Sequence, residues 1–443
     1  MDLLKTNVKT AFLKYLAAAF GSALISSVYG IVDMAMVGQY QGSEGVAALS
    51  VVAPVWNLIY SLGLLTGIGG SVLLSGAKGN ANKKEMDAWF TTSLIFTSVL
   101  ALLSWLLILF FEKELLYFFG ADEQLLTLAT DYLSPIRFVL PAFLFNQMLA
   151  AFLRSDDNPA LATLAVLSGG VFNIFGDYFF VFFLDMGVRG AGLATGLGSV
   201  ITLLVLLSHF MTKRNTLALT RPKALPHRMW KISVIGFSTF VIDLAMGILT
   251  IFFNRQIMRY LNASALAVYG VIVNVSTIIQ CMAYGIGEAG QPLAAMNHAA
   301  GKTQRVRETL KCMFTASFVF AAVCTSSIML LPNAFIRLFM APDEEILNIA
   351  PLILRLYGIS FIFLEANVAS TYFFQAVLKP ATAMLIASFR GIIISGAMIY
   401  LLPLIFSGTG LWIAMPITET VVFVYVLASL KKTDKEIMRG NQH

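Results

Sequence analysis

The chain has 443 residues, of which 58% are hydrophobic and only 12% charged, with a formal net charge of +6. Soluble globular chains carry about 25% charged residues, so so few charges could not cover a protein of this length in water. A basic balance can mark nucleic-acid binders, but here Lys and Arg lie between apolar runs without a basic patch interleaved with aromatics, so no nucleic-acid partner is expected.

Apolar runs long enough to cross about 30 Å of hydrocarbon as helices follow one another from the N-terminus. They lack the period-two alternation of barrel strands. Lys5, Lys9 and Lys14 mark the start of the first run, which continues to about Val37. That exceeds a cleaved signal segment, so the run reads as the first span. Spans are expected at 12–37, 47–77, 88–111, 125–153, 160–184, 188–211, 231–254, 263–299, 309–331, 346–378, 382–406 and 409–430. Cys281, Cys312 and Cys324 fall in or beside these runs without metal-ligand spacing, and read as small buried hydrophobes.

With the N-terminus placed in the cytoplasm, 22 Lys and Arg residues fall on cytoplasmic segments and five on outer loops. Arg137, Arg355 and Arg390 lie within spans. This bias places both termini in the cytoplasm of a multi-pass protein of the plasma (cell inner) membrane, and favours an even count of twelve.

The longest inter-span loop, about 212–230, carries five basic residues with Pro222 and Pro226 and reads as a linker. It divides the chain into an N-terminal lobe, 1–221, and a C-terminal lobe, 222–443. Sliding the chain by 221 residues aligns Asn146 with Asn367, Phe152 with Phe373, Pro159 with Pro380 and Ala162 with Ala383. A gapped echo links Gly67-Ile68-Gly69 to Gly285-Ile286-Gly287. A six-helix repeat keeps orientation, so the expected fold is all-α, with twelve transmembrane helices in two pseudo-symmetric six-helix bundles. Such an arrangement suits alternating access around a site between lobes.

Ionisable residues within membranes are costly and usually functional. Here they are Asp33, Asp177, Asp243, Glu288, Glu365 and Glu419, with the three arginines. Counted from the outer ends of their spans, Asp33, Asp177 and Thr195 lie at a similar depth, about 7–11 Å in. Asn173 is one helical turn from Asp177 on the same face. With both carboxylates ionised, the oxygens of these four residues suit a hard monovalent cation such as Na+. Alternatively, two close carboxylates in a dry setting share a proton and exchange it. At the repeat offset Asn173 falls on Ile394 and Asp177 on Met398, so the polar cluster belongs to the first half only. Asn and Thr in membrane helices also commonly hydrogen-bond a neighbouring helix without further function. Asp243 is a candidate for the wall of the second lobe's cavity, or pairs with an arginine. Arg390 and Glu419 are expected to form a structural pair.

Several activities lack their signatures. Gly301-Lys302-Thr303 resembles the end of a phosphate loop, but Met296 stands where the pattern requires Gly. HExxH, GxSxG, an Arg-rich voltage sensor and a TVGYG-type filter are all missing, so an enzyme or a selective channel is not expected.

Val32-Asp33-Met34-Ala35-Met36-Val37-Gly38, Asn173-Ile174-Phe175-Gly176-Asp177-Tyr178 and Gly187-Val188-Arg189-Gly190-Ala191-Gly192-Leu193-Ala194-Thr195 together resemble the multidrug and toxic compound extrusion (MATE) family, in its MepA-like bacterial branch. Arg154-Ser155-Asp156-Asp157-Asn158-Pro159 and Phe374-Gln375-Ala376-Val377-Leu378-Lys379-Pro380 resemble its loop signatures, one per half. The resemblance implies two six-helix bundles, a V-shaped cavity, and export of organic cations against entry of Na+ or H+. It also implies a cation site at Asp33, Asn173, Asp177 and Thr195. Some members carry Glu in helix seven where Asp243 stands here.

The expected function is secondary active multidrug efflux of small organic cations by antiport with Na+ or H+. No cofactor beyond the coupling ion is expected, membrane lipid is the surrounding partner, and a monomer suffices. The alternatives are a lipid-linked sugar or polysaccharide flippase of the larger multidrug, oligosaccharidyl-lipid and polysaccharide exporter superfamily to which the resemblance extends, or a membrane protein without transport activity. A flippase would favour a basic cavity, whereas the cavity candidates here are mainly acidic.

Overall fold

A computed structural model describes the backbone of residues 3–119, 121–339, 342 and 344–440, with the side chains at 24, 26–29, 31, 43, 263 and 437–440 outside the description. The described chain is helical almost throughout, without a strand. Its first half contains α1 (Val8–Gly79), α2 (Lys83–Phe118), α3 (Glu123–Ile136), α4 (Leu140–Ser155), α5 (Pro159–Asp177) and α6 (Gly187–Leu207). The second contains α7 (Leu225–Tyr260), α8 (Ala263–Ala299), α9 (Thr303–Leu330), α10 (Pro332–Phe339), α11 (Glu344–Gly358), α12 (Phe361–Ala376), α13 (Pro380–Ser388), α14 (Ile394–Phe406) and α15 (Thr409–Gly440).

Among the described residues ten helical stretches are long and apolar enough to cross a membrane, and α3 with α4 makes an eleventh. The expected first span, 12–37, falls on the part of α1 before Gly42. The outer loop expected between the first two spans is reduced to one break inside α1, where Gly42 adopts φ 67°. Glycine enters that region without the Cβ penalty, so the chain reverses in little length. The expected fourth span, 125–153, is two helices bent by 60°. Pro141 stands in the first turn of α4 after the break, where its missing N–H leaves no helical bond unmade.

Internal contacts gather the chain into two compact units. One comprises Ala17–Phe240 with the chain up to Thr6, and the other Asn7–Leu16 with the chain from Val241 onward. The first turns of α7 belong to the first unit for a physical reason. The backbone of Gly236 meets the Leu65 carbonyl, and Gly69 meets the Ile232 carbonyl, both too closely for a Cβ. Arg228 clamps Glu85 through two hydrogen bonds of 2.8 and 3.0 Å and lies over the Trp89 ring.

The segment leading into α7 is strapped along the first unit. Thr216 donates from its backbone N–H and its hydroxyl to Asp156. The Ala218 N–H donates to Asp87 and the Thr220 N–H to the Thr91 hydroxyl, while Leu217 is buried. Asp156 also takes the His209 ring at 2.8 Å. Burial works against its ionisation, but hydrogen bonds from His209 and Thr216 and the Lys78 charge outweigh it and hold the carboxyl below the usual carboxylate range. A carboxylate depressed in the fold stabilises above its unfolded pKa, and that contribution fades as pH falls through the folded value. The strap is therefore expected at full strength at neutral pH and to weaken only below about pH 4. Asp156→Asn is expected to lose about 1–3 kcal/mol at pH 7. A lower thermal midpoint in detergent, with a flatter response to acid than the parent, would show it.

The repeat is visible in backbone geometry. Asp157 and Leu378, 221 residues apart, both take positive φ, at 60° and 57°. The turns around them carry the same bonds, Asp156 to Phe152 and Asn158 to Leu153 in one unit, Val377 to Phe373 and Lys379 to Phe374 in the other. Pro159 and Pro380 then open α5 and α13, where a missing N–H costs nothing. The Asn146 amide donates to the Ser199 carbonyl at 3.0 Å, and the Asn367 amide to the Glu419 carbonyl at 2.9 Å. Equivalent polar ties thus join equivalent helices in each unit.

Candidate cation-coupling site

The site lies in the first unit, on α1, α3, α5 and α6. Its assembly starts from small residues. Gly169 on α5 and Gly198 on α6 each face the other's backbone carbonyl at distances no larger residue tolerates. Without side chains between them, the two helices approach closely enough for polar groups one turn further along to meet. The Asn173 amide accordingly donates to the Thr195 hydroxyl at 3.1 Å, and points to Asp177 Oδ1 at 3.5 Å. Gly192 approaches the Tyr132 carbonyl in the same manner, which draws α3 against α6.

Tyr132 completes the group. Its hydroxyl donates to Asp33 Oδ2 at 2.9 Å, and it lies in the field of Asp33 and Asp177 and beside the Thr195 hydroxyl. Asp33 and Asp177 are themselves electrostatic neighbours. Asp33, Tyr132, Asn173 and Asp177 are all buried, and Thr195 is half-buried. All four residues read from the sequence therefore fall in one pocket of one unit, with Tyr132 as an addition. The repeat offset could have singled out Tyr132, because its counterpart is Ile353. Its membership also depends on the break after α3, which sets its depth, and no sequence signal located that break.

The polar inventory is unbalanced. Asp33 Oδ1, Asn173 Oδ1 and Asp177 Oδ2 are buried and have no hydrogen-bond partner. Buried polar atoms are nearly always paired, and each orphan costs free energy. All three are acceptors, so the site is satisfied by a positive ion, a proton or another hydrogen-bond donor, and not by another acceptor. Asp177 sits where α5 passes into a π turn, Tyr178–Phe183. Such turns are uncommon and often mark functional positions.

The second unit holds the other acidic residues. Asp243 on α7 receives the Tyr284 hydroxyl and not an arginine, its Oδ2 being unpaired, and Glu288 lies close enough to act on it. Glu365 on α12 is fully buried, with neither oxygen hydrogen-bonded. Glu419 on α15 is paired with Arg390 at 2.9 Å, both residues being buried. Arg390 also donates to Gln280, and Asn367 donates to Glu419 Oε2. Arg137 lies at the break between α3 and α4, 3.6 Å from Glu112, and Arg355 donates to the Met329 carbonyl. Each arginine placed within the membrane thus has a partner, and the uncompensated groups are acidic.

The MatE family model matches residues 18–179 and 239–401. The two blocks begin 221 residues apart, the offset of the internal repeat. The "Multidrug export protein MepA" of Staphylococcus haemolyticus (strain JCSC1435) is 25% identical over 432 residues, covering 96% of this chain and 95% of the relative. The protein of that name from Staphylococcus aureus (strain NCTC 8325 / PS 47) is 25% identical over 448 aligned positions, covering 98% of each. A solved structure described as "Outward-facing conformation of a multidrug resistance MATE family transporter of the MOP superfamily" superposes with a TM-score of 0.92 at 20% identity. It covers 99% of this chain and 98% of that one, a likeness of fold.

Proposed function

The chain belongs to the MatE family of membrane transporters, and from that premise we propose that it exports small organic cations by exchange for Na+ or H+. The observation that carries this reading is the buried acceptor surplus at Asp33, Asn173 and Asp177. A charge-deficient pocket of this kind gains most from a bound cation, and its occupancy can bias a conformational equilibrium. The names of the staphylococcal relatives, multidrug export proteins, support drug-like cargo.

In the proposed cycle the unoccupied pocket holds two carboxylates in mutual repulsion. The Tyr132 hydroxyl steadies Asp33 and the Asn173 amide faces Asp177. Entry of the ion removes the repulsion and draws α1, α3, α5 and α6 together. The repacked unit holds its cargo less tightly, so uptake of the ion is tied to release of the drug. The reverse coupling follows from linkage, since each ligand alters the other's affinity by the same factor. The charge bias of the loops supports termini on the cytoplasmic side of the cell inner membrane.

Efflux of a fluorescent organic cation from proteoliposomes, with Na+ and pH gradients imposed separately, tests this reading. Acceleration by at least one inward gradient is expected. Transport indifferent to both would overturn the exchange mechanism, and transport driven by one alone identifies the ion.

A further inference from the structure

The second unit carries a groove on its flank that the transport site does not use. It lies between α9 and the end of α15, with a volume of about 770 Å³. Its wall is a helical stripe of Leu310, Phe314, Phe318, Val319 and Ala322. Phe318 and Val319 are exposed, at 39% and 56%. This stripe lies inside a stretch long and apolar enough to cross a membrane, so the medium against it is hydrocarbon and not water.

One end of the groove is different. Arg307 and Asp434 close it with a two-point bridge of 2.6 and 3.0 Å, which ties α9 to α15 and cancels both charges. Lys311 and Lys431 remain at the rim, both exposed and in no ion pair among the described residues. The groove therefore has an apolar trough with two uncompensated cations at one mouth. That mouth is at the start of α9 and the end of α15, the side that the loop charges assign to the cytoplasm.

We propose that this groove is a binding site for a phospholipid of net negative headgroup charge, such as phosphatidylglycerol. One acyl chain lies along Phe314, Phe318, Val319 and Ala322, and the headgroup phosphate sits between Lys311 and Lys431. Two features select this occupant. An open trough at membrane depth meets acyl chains first, and paired lysines at the interface attract net anionic headgroups over zwitterionic ones. Lysine stems also cover apolar wall while keeping their ammonium groups at headgroup level.

Native mass spectrometry of the full chain in detergent, titrated with phosphatidylglycerol and phosphatidylcholine of the same chains, is the test. The parent is expected to retain phosphatidylglycerol about thirtyfold more tightly, given the usual attraction per interfacial lysine counted twice. In K311Q/K431Q the preference should fall to near parity, while K223Q, in the strap of the first unit, should retain it. Ala322→Trp fills the trough without altering charge, and should weaken both lipids. Equal binding of the two lipids by the parent would overturn the proposal, as would an undiminished preference in K311Q/K431Q. Displacement of the lipid by millimolar inorganic phosphate would overturn it too, by showing a phosphate site without a chain-binding trough. Size-exclusion profiles of the variants separate loss of the site from loss of the fold, and the reading of the transport cycle does not enter the measurement.

Discussion

Asp177→Asn is expected to reduce ion-driven efflux to the passive leak of empty proteoliposomes, with the protein still inserted and monodisperse. The reason is charge. Asparagine preserves the shape and the contact with Asn173, but it can neither bind a proton nor supply a full negative charge to a metal ion. Asp33→Asn should do the same. Tyr132→Phe should be milder, since it removes one donor from Asp33 and leaves both carboxylates. At about 1 kcal/mol for such a bond, the ion concentration giving half-maximal efflux should move roughly fivefold. Coupled efflux at the parental rate by either Asn variant would dismiss the pocket as the place of ion exchange.

The second large effect is expected at Arg390 and Glu419. Removing one partner of a buried ion pair strands the other charge, and typically costs about 3–5 kcal/mol. Arg390→Met and Glu419→Met should each lower the thermal midpoint steeply and reduce the folded yield. The double variant R390M/E419M should recover most of the loss, because paired apolar groups of similar volume are tolerated where a lone charge is not. Single variants as stable as the parent would mean that water reaches the pair.

The membrane character, the spans and the repeat were readable from hydropathy and from a few polar matches. Asn146 and Asn367 aligned by sequence, and the structure shows why both are needed, since each ties equivalent helices through a backbone carbonyl. Pro159 and Pro380 likewise mark turns with the same hydrogen bonds. The residues of the pocket were legible because burying a carboxylate in hydrocarbon is costly, so depth alone drew attention to Asp33 and Asp177. Tyr132 was not legible in this way. An aromatic residue in an apolar run is unremarkable, and its place depends on the 60° bend that follows α3. The partner of Asp243 was missed for the same reason, because Tyr284 is one of many aromatics and only packing brings its hydroxyl to the carboxylate. The strap into α7 was read as a loop. Apart from the Thr216 hydroxyl, its anchoring to Asp156, Asp87 and Thr91 rests on backbone donors, which carry no side-chain signature.

The π turns have a practical consequence for anyone probing these helices residue by residue. One follows Asp177 directly, and another, Phe389–Ile393, contains Arg390. A π turn consumes one residue more than an α turn, so positions before and after it cease to share an angular frame. A single wheel diagram drawn through Pro380–Phe406 would be rotated by about 100° beyond the turn at Phe389–Ile393. Labelling scans of this stretch call for two wheels joined at Phe389, and deleting a residue inside the bulge would restore the ordinary winding while swinging α14 around its axis.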